Sequence, residues 1–67
     1  MDPTIRDDIW PRLEVMIVLK KDQKSGQLTK GIVAEVLTKA AKHPRGIKVR
    51  LVGGQVGRVQ QIVSKQP

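Results

Sequence analysis

The sequence predicts a mainly β fold, a small barrel of four to five short strands within one domain. Three observations support this. Short runs alternate apolar and polar residues, turns containing Gly or Pro separate the runs, and 67 residues leave room for one domain. An open sheet of this size would expose its edge strands, and closure into a barrel would cover them.

The first predicted strand spans Leu13 to Leu19. Its odd-numbered residues are all apolar and share one face, because successive side chains of a strand point to opposite sides. A polar connector follows over residues 20–27, in which Asp22 is a candidate turn cap and Gly26 can supply a left-handed residue.

The second predicted strand spans Gly31 to Thr38 and has an irregular pattern. Val33 and Val36 cannot share a face in a flat strand, so we predict a bulge near Ala34 that lets both point inward. A short helix over residues 32–42 is the alternative. Residues 38–46 form a loop that ends in the turn signal His-Pro-Arg-Gly.

The third predicted strand, residues 47–51, alternates cleanly, with Ile, Val and Leu inward and Lys48 and Arg50 outward. The Gly-Gly pair at 53–54 predicts a hairpin. A two-residue turn would place Arg58 opposite buried Val49. We therefore predict a bulge at Gly57, so that Gly57 and Arg58 together oppose Arg50 and the following valine, residue 59, enters the core.

The two ends of the chain differ from the barrel of residues 13–63. Residues 1–12 form a leader that we expect to be partly ordered around Trp10, which would plug one mouth of the barrel, while Asp7 and Asp8 would begin a helical turn. Residues 62–63 would add a short closing strand, and residues 64–67 a frayed tail.

Several runs resemble the YwbE-like family of short bacterial and archaeal proteins. They are residues 19–31, Leu37-Thr38, residues 43–51 and residues 54–59, and the resemblance covers residues 9 to 63. It implies membership of a family that has no established activity to carry over. The runs at 31–33 and 56–59 are also similar to the SH3-like barrels of KOW-type ribosomal and transcription proteins, which implies an SH3-like (KOW/Tudor-type) fold but no function.

Two positions depart from the YwbE-like pattern. Pro11 is followed by Arg12, where the family pattern has the Pro-Gly of a tight turn, so the start of the first strand is left open. Arg45 replaces the second histidine of the family's common His-Pro-His-Gly, which argues against a metal site in this loop.

Charge is distributed unevenly along the chain. Residues 15–67 hold eleven basic and two acidic residues, about +9, whereas residues 1–14 hold four acidic and two basic residues, about −2, for a net charge of +7. A basic body of this kind indicates a polyanionic partner, most often nucleic acid.

The predicted binding face centres on Lys48, Arg50 and Arg58, which would converge on the outer wall. Their mutual repulsion favours an anionic ligand, and the planar guanidinium suits phosphate oxygens. Candidates for the rim of this face are Lys30, Lys42 and Arg45. The alternative is a solvated basic face that only keeps the protein soluble.

Composition restricts the function further. With no Phe or Tyr and one Trp, the chain cannot build a base-stacking platform, a methyl-lysine cage or a polyproline groove. Contacts would go mainly to phosphate and sugar, with structured RNA preferred to DNA. Without cysteine, and with His43 as the single histidine, a zinc site is not expected, nor is any other cofactor or an enzymatic activity.

Two other functions remain as alternatives. A protein-interaction adaptor would recruit an acidic protein through the residue 20–30 connector or by strand addition at an uncovered edge. An assembly subunit would form concentration-dependent oligomers. No apolar run is long enough to cross a membrane and no signal peptide is evident, so we expect a cytoplasmic monomer.

Overall fold

A computed structural model describes residues 1–63. These residues form four antiparallel strands that close into a small barrel in the order β1-β2-β3-β4. The strands are β1 (Glu14–Leu19), β2 (Leu28–Val36), β3 (Lys48–Leu51) and β4 (Val56–Ile62), with 3-10 turns at Arg6–Asp8 and Lys20–Asp22. The predicted mainly β barrel is confirmed, with the smaller of the two strand counts. Within this part of the chain, no helix has the length and apolarity to span a bilayer.

The barrel interior is filled by aliphatic side chains from every strand. In and before β1, Leu13, Val15 and Ile17 are fully buried, as the alternation predicted, and Leu19 is half-buried against the same cluster. The other buried members are Ile9, Val33, Ile47, Val49, Leu51 and Val59. Trp10 packs, partly buried, against this core.

The second strand carries the predicted bulge but starts earlier than predicted, at Leu28. Val33 lies opposite Leu51 and Glu35 opposite Arg50, so that Ala34 is the extra residue. The alternative of a helix over residues 32–42 is wrong. The strand begins earlier because residues 28–32 pair in unbroken register with β1. This segment is mostly polar, so the β-propensity of its residues did not reveal the pairing.

The predicted bulge at Gly57 is wrong. The β3–β4 hairpin has a three-residue loop, residues 52–54, closed by the bond from the Leu51 N–H to the Gln55 carbonyl at 2.8 Å. Lys48 therefore lies opposite Arg58 and Val49 opposite Gly57, with no register shift. A three-residue loop shifts the register by one residue relative to the two-residue loop that the Gly-Gly pair predicted. Arg58 therefore faces outward without any bulge.

A bulge does occur in β4, against the other neighbour. Met16 lies opposite Gln61 and Ile17 opposite Val59, which leaves Gln60 as the extra residue. The predicted separate strand at residues 62–63 does not form: Ile62 is the last residue of β4, and the Val63 N–H, just beyond it, bonds to the Glu14 carbonyl at 2.8 Å. The predicted frayed tail, residues 64–67, lies outside the described residues.

The leader lies along the loop of residues 37–47 and is tied to it by main-chain hydrogen bonds. Ile5 forms a bridge with Lys42, and the Ile47 N–H donates to the Pro3 carbonyl at 2.9 Å. The leader enters β1 through a turn closed by the Leu13 N–H and the Trp10 carbonyl at 3.2 Å. Arg12 occupies the left-handed position of this turn, with φ of 79°.

Candidate nucleic-acid interface

Lys48 and Arg58 lie side by side on the outer wall of the barrel. They are direct cross-strand partners in the β3–β4 ladder, where opposite residues have Cβ atoms about 5 Å apart. Their neighbours Val49 and Gly57 face the core, so both basic side chains face outward. Among residues 1–63, no carboxylate lies within ion-pair distance of either cation.

The Arg58 side chain is held in place while most of its donors stay available. The residue is half-buried, and its Nη1 donates to the Gly46 carbonyl at 3.1 Å. That bond uses one of five guanidinium N–H groups. Gly46 reaches this position because it adopts φ of +102°, a conformation that strains any residue with a Cβ atom. The turn of residues 43–46 therefore orients Arg58.

Two of the grooves on the described surface meet at Arg58. The first, which we call the Lys20 groove, has a volume of about 390 Å³ and includes Lys20, Gln23, Lys48 and Arg58 in its lining. Lys20 reaches it from the 3-10 turn directly after β1. Three cations thus converge on one concave surface, where their positive potential adds.

The second, the Arg45 groove, has a volume of about 270 Å³ and lies on the other side of Arg58. Arg45 and Gln60 line it, over an aliphatic floor of Val18 and Leu28. Both grooves also share Val18 and Gln23. An aliphatic floor between cationic walls suits a sugar or the face of a base, with phosphates at the rim.

The β4 bulge brings Gln60 into the interface. Its side-chain Nε2 donates to the Arg45 carbonyl at 2.9 Å, which fixes the amide across the turn of residues 43–46. The same amide carries a carbonyl oxygen, which is a hydrogen-bond acceptor. A ribose 2′-hydroxyl donates to such acceptors, and this hydroxyl is what distinguishes RNA from DNA.

Two of the predicted cations are paired within the protein. Arg50 forms a close ion pair with Glu35 on the neighbouring strand. Lys30 lies 3.5 Å from the Glu14 carboxylate. Such exposed pairs contribute only about 0–1 kcal/mol to stability, but each cancels the local positive charge. Arg50 and Lys30 are therefore weaker phosphate ligands than Lys48 and Arg58.

Of the six residues predicted from sequence, the structure brings Lys48, Arg58 and Arg45 together around the two grooves. Lys42 lies in the loop beside the leader, where it lines a separate groove with Thr4 and His43. The imidazole Nδ1 of His43 accepts from the Arg45 N–H at 3.1 Å, so this residue shapes the turn.

Sequence reasoning missed Lys20, Gln23 and Gln60. Lys20 could have been found from its position immediately after β1. The alternation in the first strand places Leu19 inward, so the next side chain is expected on the outer side of the barrel. The glutamines carried no comparable signal. Among residues 1–63, no three His, Cys, Asp or Glu side chains cluster as metal ligands would.

Comparison with known proteins places the chain by family. Residues 2–62 match the family model described as "Uncharacterized conserved protein (DUF2196)". The chain is 59% identical over 59 residues to the "Uncharacterized protein YwbE" of Bacillus subtilis (strain 168), an alignment that covers 88% of this chain and 91% of that protein. No solved structure matches the chain. The predicted family is confirmed: the chain belongs to the DUF2196 family and is a YwbE-like protein.

Proposed function

We propose that the protein binds nucleic acid without catalysis, with structured RNA as its preferred ligand. The observation that carries this proposal is the adjacency of Lys48 to Arg58, which lies at the junction of the two grooves, with neither cation paired to a carboxylate among residues 1–63. A monomer acting in the cytoplasm is part of the same proposal.

The binding is electrostatic and directed at the backbone of the ligand. Arg58 is pre-positioned by Gly46, and its remaining N–H donors would take phosphate oxygens, while Lys20 and Lys48 would take a neighbouring phosphate. The chain offers no tyrosine or phenylalanine for stacking. Affinity would therefore come from counterion release and selectivity from the shape of the RNA and its 2′-hydroxyls.

The test is a titration of a labelled RNA hairpin by fluorescence anisotropy at a series of salt concentrations. If Lys20, Arg45, Lys48 and Arg58 each neutralise one phosphate, the logarithm of the association constant falls against the logarithm of salt with a slope of roughly −3 to −4. A flat salt dependence would reject nucleic-acid binding by this surface.

Two double charge reversals locate the interface. The Lys20→Glu/Lys48→Glu variant should make the slope shallower by roughly 2 and weaken binding severely. The matched control Lys39→Glu/Lys42→Glu changes the net charge by the same amount outside the two grooves and should alter the slope by less than about 0.5. Equal losses from both variants would mean that overall charge, and not the grooves, drives binding.

A third variant uses the internal ion pair of Arg50. Glu35→Gln removes the carboxylate partner and frees Arg50 beside Lys48. RNA affinity should then rise by about two- to fivefold at low salt, with the slope steeper by roughly 1. An unchanged slope would place Arg50 outside the interface.

A further inference from the structure

The first half of β2 leaves one of its edges uncovered. β2 pairs with β1 over residues 28–32, but its pairing with β3 begins only at Val33. After Leu51, a single hydrogen bond from the Val52 N–H to the Ile32 carbonyl follows, and the chain then turns back through its three-residue loop. Residues 28–32 of β2 therefore have a partner strand on the β1 side and none in β3.

Along β2, the main-chain N–H and C=O groups of successive residues point alternately toward β1 and away from it. The Val33 N–H donates to the Leu13 carbonyl, and the Val33 carbonyl accepts from the Arg12 N–H, so Val33 bonds toward β1. Gly31 and Thr29 share that orientation, because strand residues two apart point the same way. Lys30 and Ile32 consequently direct their N–H groups toward the uncovered side, where the Ile32 carbonyl accepts from the Val52 N–H.

Apolar side chains border this edge. Val52, at the start of the hairpin loop, is 72% exposed, and Ile32 is 38% exposed. The hydrogen bond that joins their main chains, at 2.8 Å, places the two residues next to each other. An uncovered strand edge beside exposed aliphatic residues provides what strand addition requires: main-chain donors and acceptors for affinity and side-chain contacts for specificity.

We propose that the uncovered edge of β2, residues 28–32, binds an extended acidic segment of another protein as an added strand. The charge of the edge selects that chemistry. Lys30 stands at its centre with an exposed side chain, in a pair with Glu14 at 3.5 Å that an incoming carboxylate would have to share or replace, and the adjoining connector adds the positive charges of Lys21 and Lys24. The outward residues of β2 run Leu28, Lys30 and Ile32, so the complementary strand presents an acidic residue flanked two positions away by apolar ones.

A second copy of the chain is a poorer occupant. Two copies could pair antiparallel through Leu28, Lys30 and Ile32 of each. Lys30 of one copy would then lie directly opposite Lys30 of the other, and like charges directly opposite each other are destabilising. It would also bring together two chains of charge +7. An acidic partner has neither penalty. The site shares Leu28 with the Arg45 groove, but it uses none of the cations that line the two grooves, so it does not depend on the proposed RNA interface.

The experiment uses the full chain and a synthetic peptide, Thr-Val-Thr-Glu-Thr-Val-Thr with both ends blocked, followed by NMR amide hydrogen exchange. The Lys30 and Ile32 amides should become protected on addition of millimolar peptide. The Thr29 and Gly31 amides, which face β1, should change little. This alternation is specific to strand addition, whereas a side-chain contact would not produce it.

Charge exchange tests the role of Lys30. Lys30→Glu should weaken binding of the peptide about three- to tenfold and favour a second peptide with Lys in place of Glu. Lys39→Glu makes the same change in net charge in the loop of residues 37–47, outside both β2 and its connector, and should weaken binding by less than about twofold. Dispersed amide spectra of both variants confirm that each is folded.

Several outcomes would overturn the proposal. They are unchanged exchange at Lys30 and Ile32 with millimolar peptide, protection of these amides in the free monomer, or perturbations concentrated around Lys48 and Arg58. Dimers that form with protection of the same amides would assign the edge to a second copy. Protection by the RNA hairpin instead of the peptide would assign it to nucleic acid.

Discussion

Arg12 holds a backbone conformation that its side chain disfavours, and replacing it with glycine should stabilise the protein. Its φ of 79° is the one positive value among the non-glycine residues of the described chain. A Cβ atom in this region costs roughly 1–2 kcal/mol. Glycine removes that cost but loses about 0.5–1 kcal/mol to the greater freedom of the unfolded chain. The net gain expected from Arg12→Gly is therefore about 0.5–1 kcal/mol, which raises the Tm by roughly 2–8 °C in a domain of this size.

The control is Arg12→Ala, which removes the same charge but keeps the Cβ atom. Arg12 is exposed, and among residues 1–63 it has no ion pair, so the alanine variant should match the parent within about 0.5 kcal/mol. Urea denaturation followed by circular dichroism measures all three proteins. If alanine stabilises as much as glycine, the gain comes from lowering the positive charge, and the argument from backbone strain is refuted. A glycine variant less stable than the parent would refute it as well.

Three further outcomes can be checked on the same fold. Gly46→Ala should cost about 3 kcal/mol in urea denaturation, because its Cβ would strike a main-chain carbonyl of β4, whereas Gly54→Ala, with open space around it, should cost only about 1 kcal/mol. Ile17→Val, at a fully buried site, should cost about 1 kcal/mol. Hydrogen bonds from the hydroxyl and the amide of Thr4 lower the pKa of Asp2, so their stabilisation of the leader is present above the ordinary pKa of about 3.9 and is lost as pH falls through the lowered value. Thr4→Val should move that pKa back toward its ordinary value in an NMR titration of the carboxyl carbon.

The uncovered edge of β2 and the paired Arg50 show where local patterns stop being informative. Alternation correctly assigned Arg50 to the outer wall, but its neutralisation depends on Glu35, fifteen residues earlier in the chain, which faces it only because Ala34 bulges. The barrel closes as predicted, but residues 28–32 have no partner in β3, because β3 has four residues while β2 has nine.

The core could be predicted from sequence with few errors. Leu13, Val15 and Ile17 on one strand, and Ile47, Val49 and Leu51 on another, are buried as their spacing required. The reason is that a strand has a fixed period of two, so one correct inward residue determines its neighbours. The bulge at Ala34 followed from the same rule, since two valines three apart cannot otherwise share a face.

By itself, then, the sequence determined the fold class, the family, the identity of the inward residues and the basic character of the outer wall. All of these depend on local periodicity, composition or ordered motifs. The tertiary structure alone decided the hairpin register, the β4 bulge at Gln60 and the grouping of Lys20 and Arg45 around Arg58. Each of these requires residues distant in the chain to meet at a defined register, and side-chain alternation along one strand carries no information about which residue lies opposite it.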